Sequence, residues 1–257
     1  MREPPARSVL LLLHIWWPLA LGWSTLLVVE RAIGRPWEPV GAAVLLLGIG
    51  AAYSLDRVID GPRSAPRWVT GALAASALCA TIAIAWLLPR LALPTAATVP
   101  VVGLLALLYP RMKRIPHAKT LAVPLVWTWC AIALPFNDGA WLGWHWLHQA
   151  VAAPIFLLLA AGCLLCDLKD ERSDRAEGVI TLPVALGSRA ATHIAVGLAL
   201  AAGALALIEG RVGVACSAAA LSAATLWPAV LATEVVGPLL VDIILTLPGL
   251  LIVARVV

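Results

Sequence analysis

Residues 154–174 read PIFLLLAAGCLLCDLKDERSD, thirteen uncharged residues followed at once by Asp167, Asp170, Glu171 and Asp174. The apolar part belongs to a run at about 150–166. Runs of the same kind can be marked at 8–29, 38–55, 68–89, 91–109, 120–136, 190–208, 212–232 and 235–254. Each is about long enough to cross the roughly 30 Å hydrocarbon core of a bilayer as a helix. Pro94, Pro100, Pro124 and Pro154 interrupt the fourth to sixth runs, which leaves the count at nine spans or eight. Membrane helices tolerate proline.

The rest of the chain agrees with a bilayer as its solvent. Of its 257 residues 62% are hydrophobic and 12% charged, and the mean hydropathy is +0.95, values that exclude an ordinary water-soluble globule. The first run exceeds a typical signal-peptide core and lacks a clean cleavage site, so it reads as the first span. When loops are assigned to alternate sides, one side receives 13 Lys and Arg and the other 5. The positive-inside rule then places the N-terminus and the loops after even-numbered spans in the cytoplasm, and the net charge of +4 reports topology rather than nucleic-acid binding. The cysteines, 79, 130, 163, 166 and 216, are odd in number and lie in or beside apolar runs, which indicates neither a disulfide framework nor a zinc site.

Seven of the 14 acidic residues fall in two stretches, SLDRVID with Asp56 and Asp60, and CDLKDERSDRAEG with Asp167, Asp170, Glu171, Asp174 and Glu177. Both close a span that runs inward. Asp56 and Asp60, like Asp170 and Asp174, are four apart and share a helix face. Like charges there repel, and the C-terminal end of a helix favours cations instead. Mg²⁺, which takes oxygen ligands and is commonly held by one or two carboxylates together with substrate phosphates, would compensate them. The plain alternative is two solvated loops neutralised by their own Arg and Lys. A third inward loop, YPRMKRIPHAK, carries Arg111, Lys113, Arg114 and Lys119 and no acid, and suits an anion such as a departing diphosphate. It reads equally as a topogenic basic loop.

In combination these features resemble the UbiA family of intramembrane prenyltransferases over nearly the whole chain. The family's NxxxDxxxD motif matches at Asp56 and Asp60 with Ala52 in place of Asn, its YxxxK motif at Tyr109 and Lys113, and its DxxxD motif at Asp170 and Asp174, with Asp167 as an accompanying acid. GVITLPVALG, residues 178–187, is similar to a family loop. The resemblance implies an all-α integral membrane protein, a nine-helix bundle around a lipid-open cavity, forming a single domain over residues 1–257. It also implies Mg²⁺-dependent transfer of a prenyl group from an isoprenoid diphosphate to a small, aromatic acceptor. Asp56, Asp60, Asp170, Asp174 and Asp167 would hold metal, and Lys113 and Tyr109 would meet the diphosphate. Arg57, Arg114 and Lys169 are further candidates there, although Arg57 and Lys169 read equally as partners of nearby acids. The partners are then the donor, the acceptor and membrane lipid, without nucleic acid, and the location is a prokaryotic inner membrane with the site on the cytoplasmic side.

Other polar residues have simpler readings. Asp242 lies inside the ninth run, where an ionisable group is a functional candidate or a structural hydrogen-bonding group. His14 reads as a packing residue. His145 and His148 lie on the outer loop, most of the tryptophans lie near the ends of spans or in that loop as interface anchors, and Asn137 and Asp138 form an outer turn. The rival functions are a transporter or non-catalytic cation-binding protein, and a terpene cyclase of the same family. Transporter sites lie at the membrane midplane, whereas these acids gather at one surface.

Overall fold

The computed structural model describes residues 5–60, 67–112, 115–136 and 146–256. Every regular element among them is helical. The long helices are α1 (Pro5–Ile33), α2 (Pro39–Asp60), α3 (Arg67–Leu87), α4 (Leu93–Met112), α5 (Ala118–Ala133), α6 (Trp146–Asp167), α9 (Ser188–Ile208), α10 (Val212–Ala224) and α12 (Val236–Val253). Between them stand the short helices α7 (Glu171–Glu177), α8 (Leu182–Leu186) and α11 (Pro228–Leu231).

Each long helix falls on one of the apolar runs, including the three that proline interrupts. Among the described residues, Pro39–Ile59, Arg67–Arg90, Ala150–Asp167, Ser188–Ile208 and Val236–Val253 are long and apolar enough to cross a membrane. Leu93–Tyr109, Thr120–Ala133 and Val212–Ala224 are apolar but shorter. The run expected at 212–232 is not one helix. Trp227 sits at φ −116°, ψ 63°, outside the helical region, and Pro228 then opens α11. A residue before proline is pushed away from the helical conformation.

The helices follow one another around a bundle in the order α2, α1, α12, α10, α9, α6, α5, α4, with α1 also touching α6, and α3 packed on α2. Small residues let them approach. Along α9 the residues Ala191, Ala195, Ala199, Ala202 and Ala206 form one fully buried stripe, as interfaces between membrane helices favour. Where α12 crosses α1, a Cβ at Gly249 would stand 2.5 Å from the Ser24 Cα, so only glycine fits. Outward faces are apolar as well. Leu78, Ile82 and Trp86 on α3 are 61%, 60% and 64% exposed, a stripe that water would penalise and lipid would solvate.

At two of the prolines inside these helices, a neighbouring element satisfies the carbonyl that proline frees. Pro248 lacks the N–H that would bond the Ile244 carbonyl, and the Ser217 hydroxyl of α10 donates to that oxygen at 2.6 Å. Pro154 likewise frees Ala150, whose carbonyl accepts from the Arg211 guanidinium at 3.2 Å. These two prolines therefore mark contacts between elements rather than breaks.

Candidate functional site

Asp56, Arg57 and Asp60 occupy the last two turns of α2. Asp56 and Arg57 are half-buried. Ala52 stands one turn earlier and is also half-buried, so the missing Asn would have pointed from the same face as Asp56. Tyr53, on the same helix, packs edge-on against Trp127 of α5 with ring centroids 6.0 Å apart. Its electrostatic neighbours are Asp242, Cys163, Cys166 and Asp56. Asp242, buried in α12, has Arg57 as its charged neighbour. The ends of α2 and α6 and the first half of α12 thus meet in one polar region.

The second acidic stretch has an internal break. α6 ends at Asp167, a turn follows, and Asp170 is the N-cap of α7, with Glu171 and Asp174 in its first turn. Of this stretch, only Asp167 therefore stands at the unfavourable end of a spanning helix. Asp170, Glu171 and Asp174 lie at the start of α7, where the helix dipole favours negative charge. This corrects the expectation that all of these acids burden one helix C-terminus. The Asp174 N–H donates to the Asp170 carbonyl at 2.8 Å, so the two side chains leave one face. α7 stops at Gly178, whose φ of 73° is the left-handed region that glycine enters without strain.

Several of these charges are answered within the protein. The Lys169 ammonium lies 2.6 Å from the Asp170 carboxylate, so Lys169 is a partner of a candidate metal residue, the simpler of its two readings. Glu171 accepts from the Ser188 hydroxyl and from Arg175, the latter at 2.9 Å, and these contacts hold its carboxyl below the usual range against the opposing effect of burial. Asp167 and Asp174 are buried, at 5% and 8% exposure. The Asp167 carboxylate accepts from the Thr120 hydroxyl at 2.9 Å.

Thr120 begins α5, which follows the basic loop. Tyr109, half-buried near the end of α4, leads into that loop; Lys113 and Arg114 lie outside the described residues, as do the side chains of Asp60 and Lys119. So do Asn137, Asp138 and His145 and the side chains of His14 and His148. The basic loop is fastened to the acidic one twice, through Thr120 to Asp167 and through the His117 N–H, which donates to the Ile180 carbonyl at 2.9 Å. Among the described residues no three His, Cys, Asp or Glu side chains form a ready metal cage. Mg²⁺ does not require one, since it keeps several waters and takes one or two carboxylates beside substrate phosphates. Paired carboxylates without imidazole or thiolate among them fit such a hard ion.

A profile of the UbiA prenyltransferase family matches residues 15–236. The chain belongs to that family. Two solved UbiA homologues have similar structures. One, the apo structure of a UbiA homologue from Aeropyrum pernix K1, matches with a TM-score of 0.68 at 19% identity, over 95% of this chain and 98% of that one. The other, a UbiA homologue from Archaeoglobus fulgidus bound to DMAPP and Mg²⁺, matches with a TM-score of 0.56 at 14% identity, over 94% of this chain and 98% of that one. No curated protein matches the chain. Family membership and the apolar helices make it an integral membrane protein with the UbiA fold.

Reading the sequence alone missed three polar residues that lie where the basic and acidic segments meet. Thr120 binds Asp167 from 47 positions away. His117 adopts φ 62° in the connection from α4 to α5, and its buried Nδ1 has no partner among the described residues. Thr181, fully buried, has a hydroxyl without a partner among the described residues. A lone His and Thr in polar loops carry no pattern that marks them.

Proposed function

We propose that the whole chain, residues 1–257, acts as one transmembrane prenyltransferase domain crossing the membrane nine times. It transfers a prenyl group from a polyprenyl diphosphate to a small, aromatic acceptor within the membrane. The observation that carries the reading is the pair of aspartate motifs in a member of the UbiA family, one at the end of α2 and one at the start of α7, the second joined to the basic loop by Thr120 and His117. The DMAPP and Mg²⁺ in the Archaeoglobus fulgidus homologue support a donor and cofactor of this class.

In this reading Asp56, Asp60, Asp170 and Asp174 hold Mg²⁺, with Asp167 behind them. When bound, Mg²⁺ supplies positive charge to the diphosphate as it departs. Tyr109, Lys113, Arg57 and Arg114 bind and orient the diphosphate, and Lys169 keeps Asp170 in place. Thr120 fixes Asp167. As the allylic C–O bond breaks, its electron pair leaves with the diphosphate, and the cationic side chains stabilise the growing negative charge. A lipid-open cavity between the helices keeps water from the allylic cation. The acceptor then forms the new bond and releases a proton. The 13 to 5 distribution of Lys and Arg supports a site on the cytoplasmic side, and the membrane of this reading is a prokaryotic inner membrane.

The test is incubation of the purified chain in lipid nanodiscs with prenyl diphosphates of several lengths, each with a panel of aromatic acceptors, followed by mass spectrometry. A prenylated acceptor is the expected product. A cyclised hydrocarbon formed without any acceptor, or no product from any pair, would contradict the transferase reading.

A further inference from the structure

His117 Nδ1 and the Thr181 hydroxyl are buried polar atoms without partners among the described residues. They flank a single backbone bond, from the His117 N–H to the Ile180 carbonyl at 2.9 Å, Thr181 being the residue after Ile180. Thr181 is 0% exposed and precedes α8, yet its side chain caps nothing. His117 is held at φ 62°, a conformation uncommon for a residue with a side chain, so the surrounding structure fixes this loop. Both atoms could be satisfied at the surface or by a cap, and neither is. Native proteins seldom leave such groups unpaired, because each has given up water and gained nothing.

Their position narrows what would pair with them. One follows the loop of Tyr109 and the other follows α7 with Asp170 and Asp174, so the seam lies where the cationic and acidic segments meet. A hydroxyl and an imidazole carrying a proton on Nδ1 both donate. A group that accepts from several directions and donates from none fits between them. We propose that His117 and Thr181 donate hydrogen bonds to phosphoryl oxygens of the donor's diphosphate. This rests on the prenyl-diphosphate reading above and adds two binding residues to it. No proton changes hands. Donors fixed before reaction stabilise the charge that arrives with the electron pair of the broken C–O bond.

Binding of inorganic pyrophosphate in the presence of Mg²⁺, measured by calorimetry on the full chain in nanodiscs, tests this without relying on turnover. Thr181→Val removes the hydroxyl and keeps the shape, and His117→Gly removes the imidazole while keeping the positive φ and the backbone N–H. Each is expected to weaken pyrophosphate binding about tenfold or more, as for a hydrogen bond to a charged group, and Thr181→Ser to retain it. Thr181→Val is also expected to leave the melting temperature of the ligand-free protein unchanged or raised, because it deletes an unsatisfied group. Wild-type affinity in both deletion variants, with Thr181→Val lowering the melting temperature, would overturn the proposal: the atoms would then be bridged by structural water. In that case Asp170→Asn would still abolish binding and the prenyl-diphosphate reading would survive. A wild-type protein that binds no pyrophosphate overturns both.

Discussion

Glu171 and Ala52 show how single side chains set the balance of charge in this site. Ser188, then Arg175, hold the Glu171 carboxyl below its ordinary value, so its contribution to stability is fully present above the unfolded value of about 4.3 and is lost as the pH falls through the lower folded value. The melting-temperature difference between wild type and Glu171→Gln should therefore stay constant from neutral pH to about 5 and shrink below about 4. A difference that survives unchanged at pH 3 would contradict the contacts. Ala52 stands on the face of Asp56 where the family motif has Asn. Restoring Asn adds a carbonyl oxygen or an amide donor beside the metal residues. Ala52→Asn is expected to tighten Mg²⁺ or donor binding about tenfold, as read from titration of each against both forms; equal affinities would refute the argument.

At the level of elements, the helices depend on partners that proline makes necessary. Ser217 satisfies the Ile244 carbonyl that Pro248 leaves open. Ser217→Ala should cost about 1 kcal/mol in thermal or detergent unfolding. Adding Pro248→Ala should recover most of that loss, because the new N–H bonds Ile244 within the helix; strictly additive losses would sink the pairing. The apolar helices, five of which among the described residues are long enough to cross, were legible from composition because a helix in a bilayer must be apolar along its length. Element boundaries inside polar stretches were not. Leu168 and Lys169 continue a helical pattern, yet α6 ends before them and α7 starts afresh, which changed the electrostatics of Asp170 and Asp174. The bond from Thr120 to Asp167 and the orphaned atoms of His117 and Thr181 arise only when α5 and the segment after α7 fold together. The aspartate pairs were legible because their spacing of four is itself a statement about one helix face.

For the whole molecule, the account requires one orientation and one catalytic surface. In a cysteine-free background, Ala176→Cys, exposed on α7, should react only with reagent supplied from the cytoplasm. Arg90→Cys, exposed after α3, should react from the opposite side. Labelling of both from the same side would break the topology and the shared surface with it. The central claim is that aspartates from both halves, on α2 and on α7, act together through Mg²⁺ on a prenyl diphosphate. The most direct measurement is the rate of diphosphate release from a prenyl diphosphate by the purified chain in nanodiscs, with acceptor, for wild type, Asp56→Asn and Asp170→Asn. The account predicts release that stops with chelator, returns with Mg²⁺, and falls at least a hundredfold in each variant, on the order of 2.7 kcal/mol or more of barrier. Undiminished release in either variant, or release indifferent to chelator, would contradict it.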